Sequence, residues 1–170
     1  FQEGAYPANY NKLRFLENHD QPRITSFVRD EAALRNYTAM LYFLKGTTLL
    51  YAGQEFEDGH LPSLFEKEPI DRDTGHDLSG LLRRLYQVKQ GFGVRDWFRA
   101  EADDESDIAI LQRGGEGKRF VGVFSLKAKT AEVKAEAPDG EYENLIDGER
   151  VAVRDGRLAC KGKPVILRVE

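Results

Sequence analysis

The period of the apolar residues changes near Asp96, and no single layer of secondary structure accommodates both halves of the pattern. Upstream, the order is strand, helix, strand, loop, helix, as in a parallel α/β unit. Residues 13–17 form a short strand candidate. Residues 30–45 carry Ala33, Tyr37, Met40, Leu41 and Leu44 at helical spacing behind Asp30, a capping residue, and Gly46 stops the helix. The apolar, β-rich run 47–52 reads as a second parallel strand, of the kind buried on both faces. A polar loop, 53–76, leads to Asp77, placed to cap a second helix whose Leu78, Leu81, Leu82, Leu85 and Val88 share one face.

Downstream, alternation marks strands at 108–113, 120–127, 131–137, 142–146, 150–153 and 164–169. The dipeptides Gly114-Gly115, Asp139-Gly140, Asp147-Gly148 and Asp155-Gly156 suit positive φ and imply tight antiparallel hairpins. The tail is therefore expected to be a small β-sandwich. One strand–helix–strand unit with one further helix cannot close a sheet or cover both its faces. The front half is accordingly expected to be the end of a larger α/β domain, cut from a longer chain whose localisation is not legible here.

At 170 residues, 41% of them hydrophobic, the chain is long enough for one ordinary domain or two small ones. No apolar run approaches the roughly 20 residues a bilayer span requires, which argues against a membrane. A net charge of -4 with both signs interspersed leaves no basic stripe to follow a phosphate backbone, which argues against nucleic acid. The single cysteine, Cys160, can form no intrachain disulfide and reads as a small buried thiol.

The densest polar cluster is Phe15-Leu16-Glu17-Asn18-His19-Asp20-Gln21-Pro22-Arg23, where the first strand ends. Ligands of α/β folds bind at that end of the strands, because the loops there converge on one rim. Adjacent His19 and Asp20 suit hydrogen bonding to vicinal hydroxyls and stabilisation of an oxocarbenium-like sugar. The same residues also suit simple turn capping, and composition alone favours that plainer role. No serine lies in a nucleophile elbow. His19, His60 and His76 match no compact metal-ligand spacing, so no metal is assigned and His60 and His76 read as solvated loop residues.

The cluster resembles the Asn-His-Asp segment on the seventh barrel strand of α-amylase superfamily glycoside hydrolases. The run from Gly46 to Glu55, GTTLLYAGQE, resembles the eighth-strand segment of the same family, in the right order and at the right distance. The alternating tail resembles the sandwich that follows the barrel. The resemblance implies an α/β plus all-β chain: a partial (β/α)8 TIM barrel (strands 7 and 8 with their helices) over residues 1–96, then an antiparallel β-sandwich over 97–170. It makes His19 a ligand of sugar hydroxyls and Asp20 the third acidic residue of the cleavage subsite. Arg23 lies beside them on the rim. Glu68-Pro69-Ile70-Asp71-Arg72 resembles an Asp-Pro-x-x-Arg segment that touches outer glucosyl units, with Glu in place of Asp, and so adds Glu68 and Arg72 as substrate-binding candidates.

The family's retaining mechanism needs a nucleophile and an acid on the fourth and fifth strands, which this sequence lacks. The chain alone is expected to be inactive, its parent to act on α-glucan or oligosaccharide, and its uncovered barrel surfaces to favour self-association. No cofactor is evident in these residues; any calcium would lie in the missing part of the barrel. The alternative is a non-catalytic carbohydrate-binding or structural module of the same fold.

Overall fold

The computed structural model describes residues 5–7 and 9–169. Strand β1 (Leu13–Arg14) pairs in parallel with β2 (Thr47–Thr48), Leu13 opposite Thr47 and Arg14 opposite Thr48. These ladders are much shorter than the extended runs 13–17 and 47–52. The flanking backbone hydrogen bonds, from the Thr47 N–H to Lys12 O at 2.9 Å and from the Leu49 N–H to Arg14 O at 2.8 Å, mark the extent of the pairing, and each strand has the other as its one partner among the described residues.

Between them lies helix α1 (Glu31–Phe43), where Asp30 caps as expected, its side chain accepting from the Ala33 N–H at 2.7 Å. The helix ends at Phe43, short of the expected residue 45. Lys89 then donates to the Tyr42 and Leu44 carbonyls at 2.9 and 3.0 Å, satisfying groups that the helix end leaves open. Helix α2 (Ser79–Gln90) buries Leu82, Leu85 and Val88. Its capping residue is Leu78; Asp77 sits one position too early, although its carboxylate still accepts from the Ser79 N–H at 2.7 Å.

The tail contains two four-stranded antiparallel sheets. One has the order β10-β5-β4-β3, from β3 (Trp97–Asp103), β4 (Ile108–Gly115), β5 (Lys118–Ser125) and β10 (Val165–Arg168). The other has the order β6-β9-β8-β7, from β6 (Thr130–Lys134), β7 (Gly140–Glu143), β8 (Arg150–Arg154) and β9 (Arg157–Lys161). Strands β3 and β9 were not anticipated. The first is an edge strand with mostly exposed residues, and the second buries only Leu158 and Cys160, in alternation with exposed residues.

The hairpin at Asp155-Gly156 has both residues at positive φ, as its dipeptide implies. The expected turn at Gly114-Gly115 is displaced: those glycines belong to β4, and the chain reverses at Glu116-Gly117, both at positive φ. Close approach explains Gly114, where a Cβ would lie 2.5 Å from the Lys118 carbonyl oxygen.

Three layers result. Ile108, Ile110, Val121 and Val123 of the first sheet face Val133, Val153, Leu158 and Cys160 of the second. The opposite face of the first sheet, with Leu111, Phe120, Phe124 and Ile166, packs on Phe43, Leu82 and Leu85 of the helices. Phe43, Phe92, Phe120 and Phe124 form a chain of edge-to-face contacts there. Burial on both faces explains why β4 is almost continuously buried and not alternately so.

Asn36 fixes α1 to this sheet. Its amide donates to Gly162 O and its oxygen accepts from Ser125 N, each at 2.8 Å, and the residue is fully buried. The buried side of α1 includes Ala33 and Leu41 as expected and extends to Leu34, Asn36, Thr38 and Phe43, whereas Tyr37, Met40 and Leu44, also expected on the apolar face, are half-buried.

Candidate rim site at the ends of the paired strands

Strand β1 delivers the chain to Glu17, and a tight loop then carries Asn18, His19 and Asp20. The Asn18 side chain accepts from the Asp20 N–H at 2.9 Å, and its carbonyl accepts from the Gln21 N–H at 3.3 Å, so Asn18 takes the turn-making role. His19 and Asp20 are thereby turned outward. Their side chains are 58% and 65% exposed, with His19 Nε2 3.4 Å from Asp20 Oδ2. A histidine and carboxylate so presented can donate to and accept from neighbouring hydroxyls.

Beneath them lies a buried ion pair, in which Arg23 pairs with a neighbouring carboxylate, the alternative to its reading as a substrate contact. Glu17 and Arg23 flank the His19-Asp20 loop, and both side chains are 1% exposed. Arg23 Nη1 donates to Glu17 Oε1 at 2.7 Å, and the other Glu17 oxygen accepts from the Ile24 N–H at 2.7 Å. The pair therefore clamps the loop shut at its base. The same guanidinium reaches the neighbouring strand end: Nη1 donates to Ala52 O at 3.0 Å and Nε to His60 O at 2.7 Å. Nη2 faces Asp58 Oδ2 at 3.6 Å, an ion pair without hydrogen-bond geometry. The plane of Arg23 also stacks on Tyr51, 4.7 Å from the ring centre.

This corrects the reading of Arg23 as a substrate contact. A side chain buried within part of a barrel stays buried in the whole, so Arg23 is a positioning residue that ties the ends of β1 and β2 together. The signal for it was the pairing of Glu17 with an arginine across the loop. The need to bury that pair was visible only in three dimensions.

Gly53 sits at φ 95°, and a Cβ there would come within 3.0 Å of Arg23 Nη2 and 3.2 Å of Asp58 Cβ, so both backbone and packing require glycine. A 3-10 turn, Gln54–Phe56, follows. Glu55 accepts from the Gly53 N–H at 2.8 Å and its carbonyl from the Leu78 N–H at 2.8 Å, which is a structural role. Asp58 Oδ1 accepts from the His60 N–H at 2.8 Å, fastening the loop that leaves β2.

Further along that loop, Glu68 accepts from the Ser63 N–H at 2.7 Å and lies 2.8 Å from His60 Nε2. These contacts hold the Glu68 carboxyl below its usual range, Ser63 being the larger cause. Glu68 thus organises its own loop. Arg72 is exposed and makes no ion pair among the described residues. His60 and His76, read as solvated, each sit beside a carboxylate, Glu68 and Glu57 respectively.

Residues 2–98 match the family described as alpha amylase, catalytic domain, and residues 99–167 match the bacterial alpha amylase C-terminal domain. Among curated proteins, the chain is similar to alpha-amylase 2 of Schwanniomyces occidentalis, 28% identical over 65% of this chain and 24% of that protein. It is also similar to the probable oligo-1,6-glucosidase 3 of Bacillus subtilis (strain 168), 29% identical over 55% of this chain and 16% of the relative. Among solved structures, an alpha-amylase from Lactobacillus plantarum superposes with a TM-score of 0.90 at 31% identity, covering 98% of this chain and 40% of that one. The chain spans well under half the length of each of these relatives.

Proposed function

The chain belongs to the α-amylase family, and from that premise we propose that it is the carboxyl-terminal portion of a retaining glycosidase acting on α-glucosidic linkages, with His19 and Asp20 as its contribution to the cleavage subsite. The observation that carries this reading is the rim geometry: an exposed His19-Asp20 pair held out from a loop whose base is a buried Glu17–Arg23 clamp. The buried pair fixes the position of two exposed groups that pair with each other across 3.4 Å and are turned outward by Asn18.

In this role His19 hydrogen-bonds hydroxyls of the bound sugar, and the Asp20 carboxylate accepts from neighbouring hydroxyls. Positive charge grows on the sugar ring as the glycosidic bond breaks, and the negative charge of Asp20 stabilises it most at that stage. Neither residue attacks the anomeric carbon or protonates the leaving oxygen. Two further carboxylates, about 5–5.5 Å apart across the scissile bond, do that in a retaining enzyme. We assign them to barrel strands outside this chain. The division into barrel portion and sandwich is placed at residues 96 and 97.

The test is turnover of maltooligosaccharides by the full-length protein, its Asp20→Asn and His19→Ala variants, and the 170-residue chain. The full-length protein is expected to be active and Asp20→Asn to lose at least about 100-fold in kcat, the scale of removing one transition-state-stabilising group. Undiminished kcat in Asp20→Asn, or turnover by the 170-residue chain alone, overturns the assignment.

A further inference from the structure

Three side chains with metal-ligating atoms converge away from the His19-Asp20 pair, none of them a member of the rim network. Glu31 opens α1, Glu57 follows the 3-10 turn after β2, and His76 lies just before α2. One ligand atom from each lies within 4.8 Å of the other two, and His76 Nδ1 is 3.4 Å from Glu57 Oε2. Their separation along the chain hides them from any spacing rule.

Glu57 is the informative member. Its side chain is 8% exposed, and its Oε1 is buried with no hydrogen-bond partner among the described residues. An unpaired carboxylate oxygen away from water is costly, and native folds seldom leave one without a neutralising group. Among the described residues His76 is the basic side chain within ion-pairing distance, 44% exposed and charged only when protonated, and the positive charge of Arg35 adds a smaller favourable effect. Burial pushes the Glu57 carboxyl above its usual range, with His76 opposing and Glu31 reinforcing that shift.

We propose that Glu31, Glu57 and His76 form a site for a divalent cation of the Zn2+ type, which ties the first turn of α1 to the loop after β2 and to the start of α2. Two carboxylates neutralise a dication, and one imidazole with a solvent molecule completes a tetrahedral set. The nitrogen ligand and the small number of donors disfavour Ca2+, which takes six to eight oxygens. Arg35 is the internal competitor, since its Nη2 and Nε lie 2.7 and 3.2 Å from Glu31 Oε1. Both side chains of that pair are substantially exposed, so it yields to a cation at little cost. Glu57 is the chain neighbour of Asp58, which faces Arg23, so the cation stiffens the loop on which the rim network rests. The inference does not depend on the sugar-binding reading of His19 and Asp20.

The experiment is calorimetric titration of ZnCl2 into the full-length protein after treatment with EDTA, with CaCl2 as comparator. The wild type is expected to bind one equivalent of Zn2+ that both Glu57→Gln and His76→Asn weaken by at least about 100-fold, more than loss of an outer-shell partner costs. Arg35→Gln, which releases Glu31, is expected to tighten it several-fold. Melting in EDTA establishes that each variant is folded, and the two ligand variants are read independently, so loss of one fold leaves the other decisive. Absence of Zn2+ binding, Zn2+ binding that survives either folded ligand variant, or Ca2+ binding as tight as Zn2+ that Glu57→Gln and His76→Asn abolish overturns the proposal.

Discussion

Replacing Glu17 with glutamine perturbs the base of the rim with almost no change of shape. If the amide oxygen stays on Arg23, the amide nitrogen is left facing the Ile24 N–H, donor against donor. The hydrogen bond to Arg23 loses one of its two charges, a loss of about 1–2 kcal/mol. The Ile24 N–H loses its acceptor, which costs about 1–3 kcal/mol. Arg23 remains charged at 1% exposure, with Asp58 at 3.6 Å as its nearest carboxylate.

The two losses come to about 2–5 kcal/mol, which overlaps the roughly 3–5 kcal/mol found when one partner of a buried ion pair is removed. Urea unfolding of the wild type and of Glu17→Gln measures it. Glu141→Gln serves as comparator, because it breaks the exposed pair with Arg154, and such pairs contribute about 0–1 kcal/mol. On the roles proposed for His19 and Asp20, Glu17→Gln in the full-length protein is expected to lower kcat on maltooligosaccharides more than it raises KM. A stability loss no greater than that of Glu141→Gln would refute the clamp.

Two further outcomes follow from other parts of the fold. Asn36→Ala leaves the Ser125 N–H and Gly162 carbonyl unpaired between helix and sheet; a loss of about 2–4 kcal/mol is expected, with faster hydrogen exchange at the Ser125 amide. Lys89, lowered to about 8 chiefly by burial, binds fewer protons in the fold than in the unfolded chain between about pH 8 and its ordinary 10.5. Its contribution to stability is therefore present above the ordinary value and lost as pH falls through about 8; the rise in stability across that interval is expected to shrink in Lys89→Met, as followed by urea midpoints against pH.

Much of the architecture was legible because it is local. Asp30 caps α1 through a hydrogen bond three residues away, and Asp155-Gly156 reverses the chain through its own backbone conformation. The outward presentation of His19 and Asp20 also follows from a local device, the Asn18 turn. Where local reading failed, packing had intervened. Gly114-Gly115 resembles a turn, yet closeness to Lys118 requires a glycine inside the strand. Helix α1 buries Ala33 and Leu41 of its expected apolar face but also Asn36, which meets partners 89 and 126 residues distant.

The two clusters of charge divide in the same way. The amino-acid sequence by itself determined that a strand ends in Asn-His-Asp, that a second strand ends in Tyr-Ala-Gly-Gln-Glu, and that an alternating tail follows. Only the tertiary structure decided that Arg23 lies buried between those strand ends and not exposed to a ligand, and that Glu31, Glu57 and His76 meet. Periodicity and turn chemistry act over a few residues and are written in neighbouring side chains. The burial of a charge depends on which distant segments close over it, and that is fixed when strands, helices and sheet pack together.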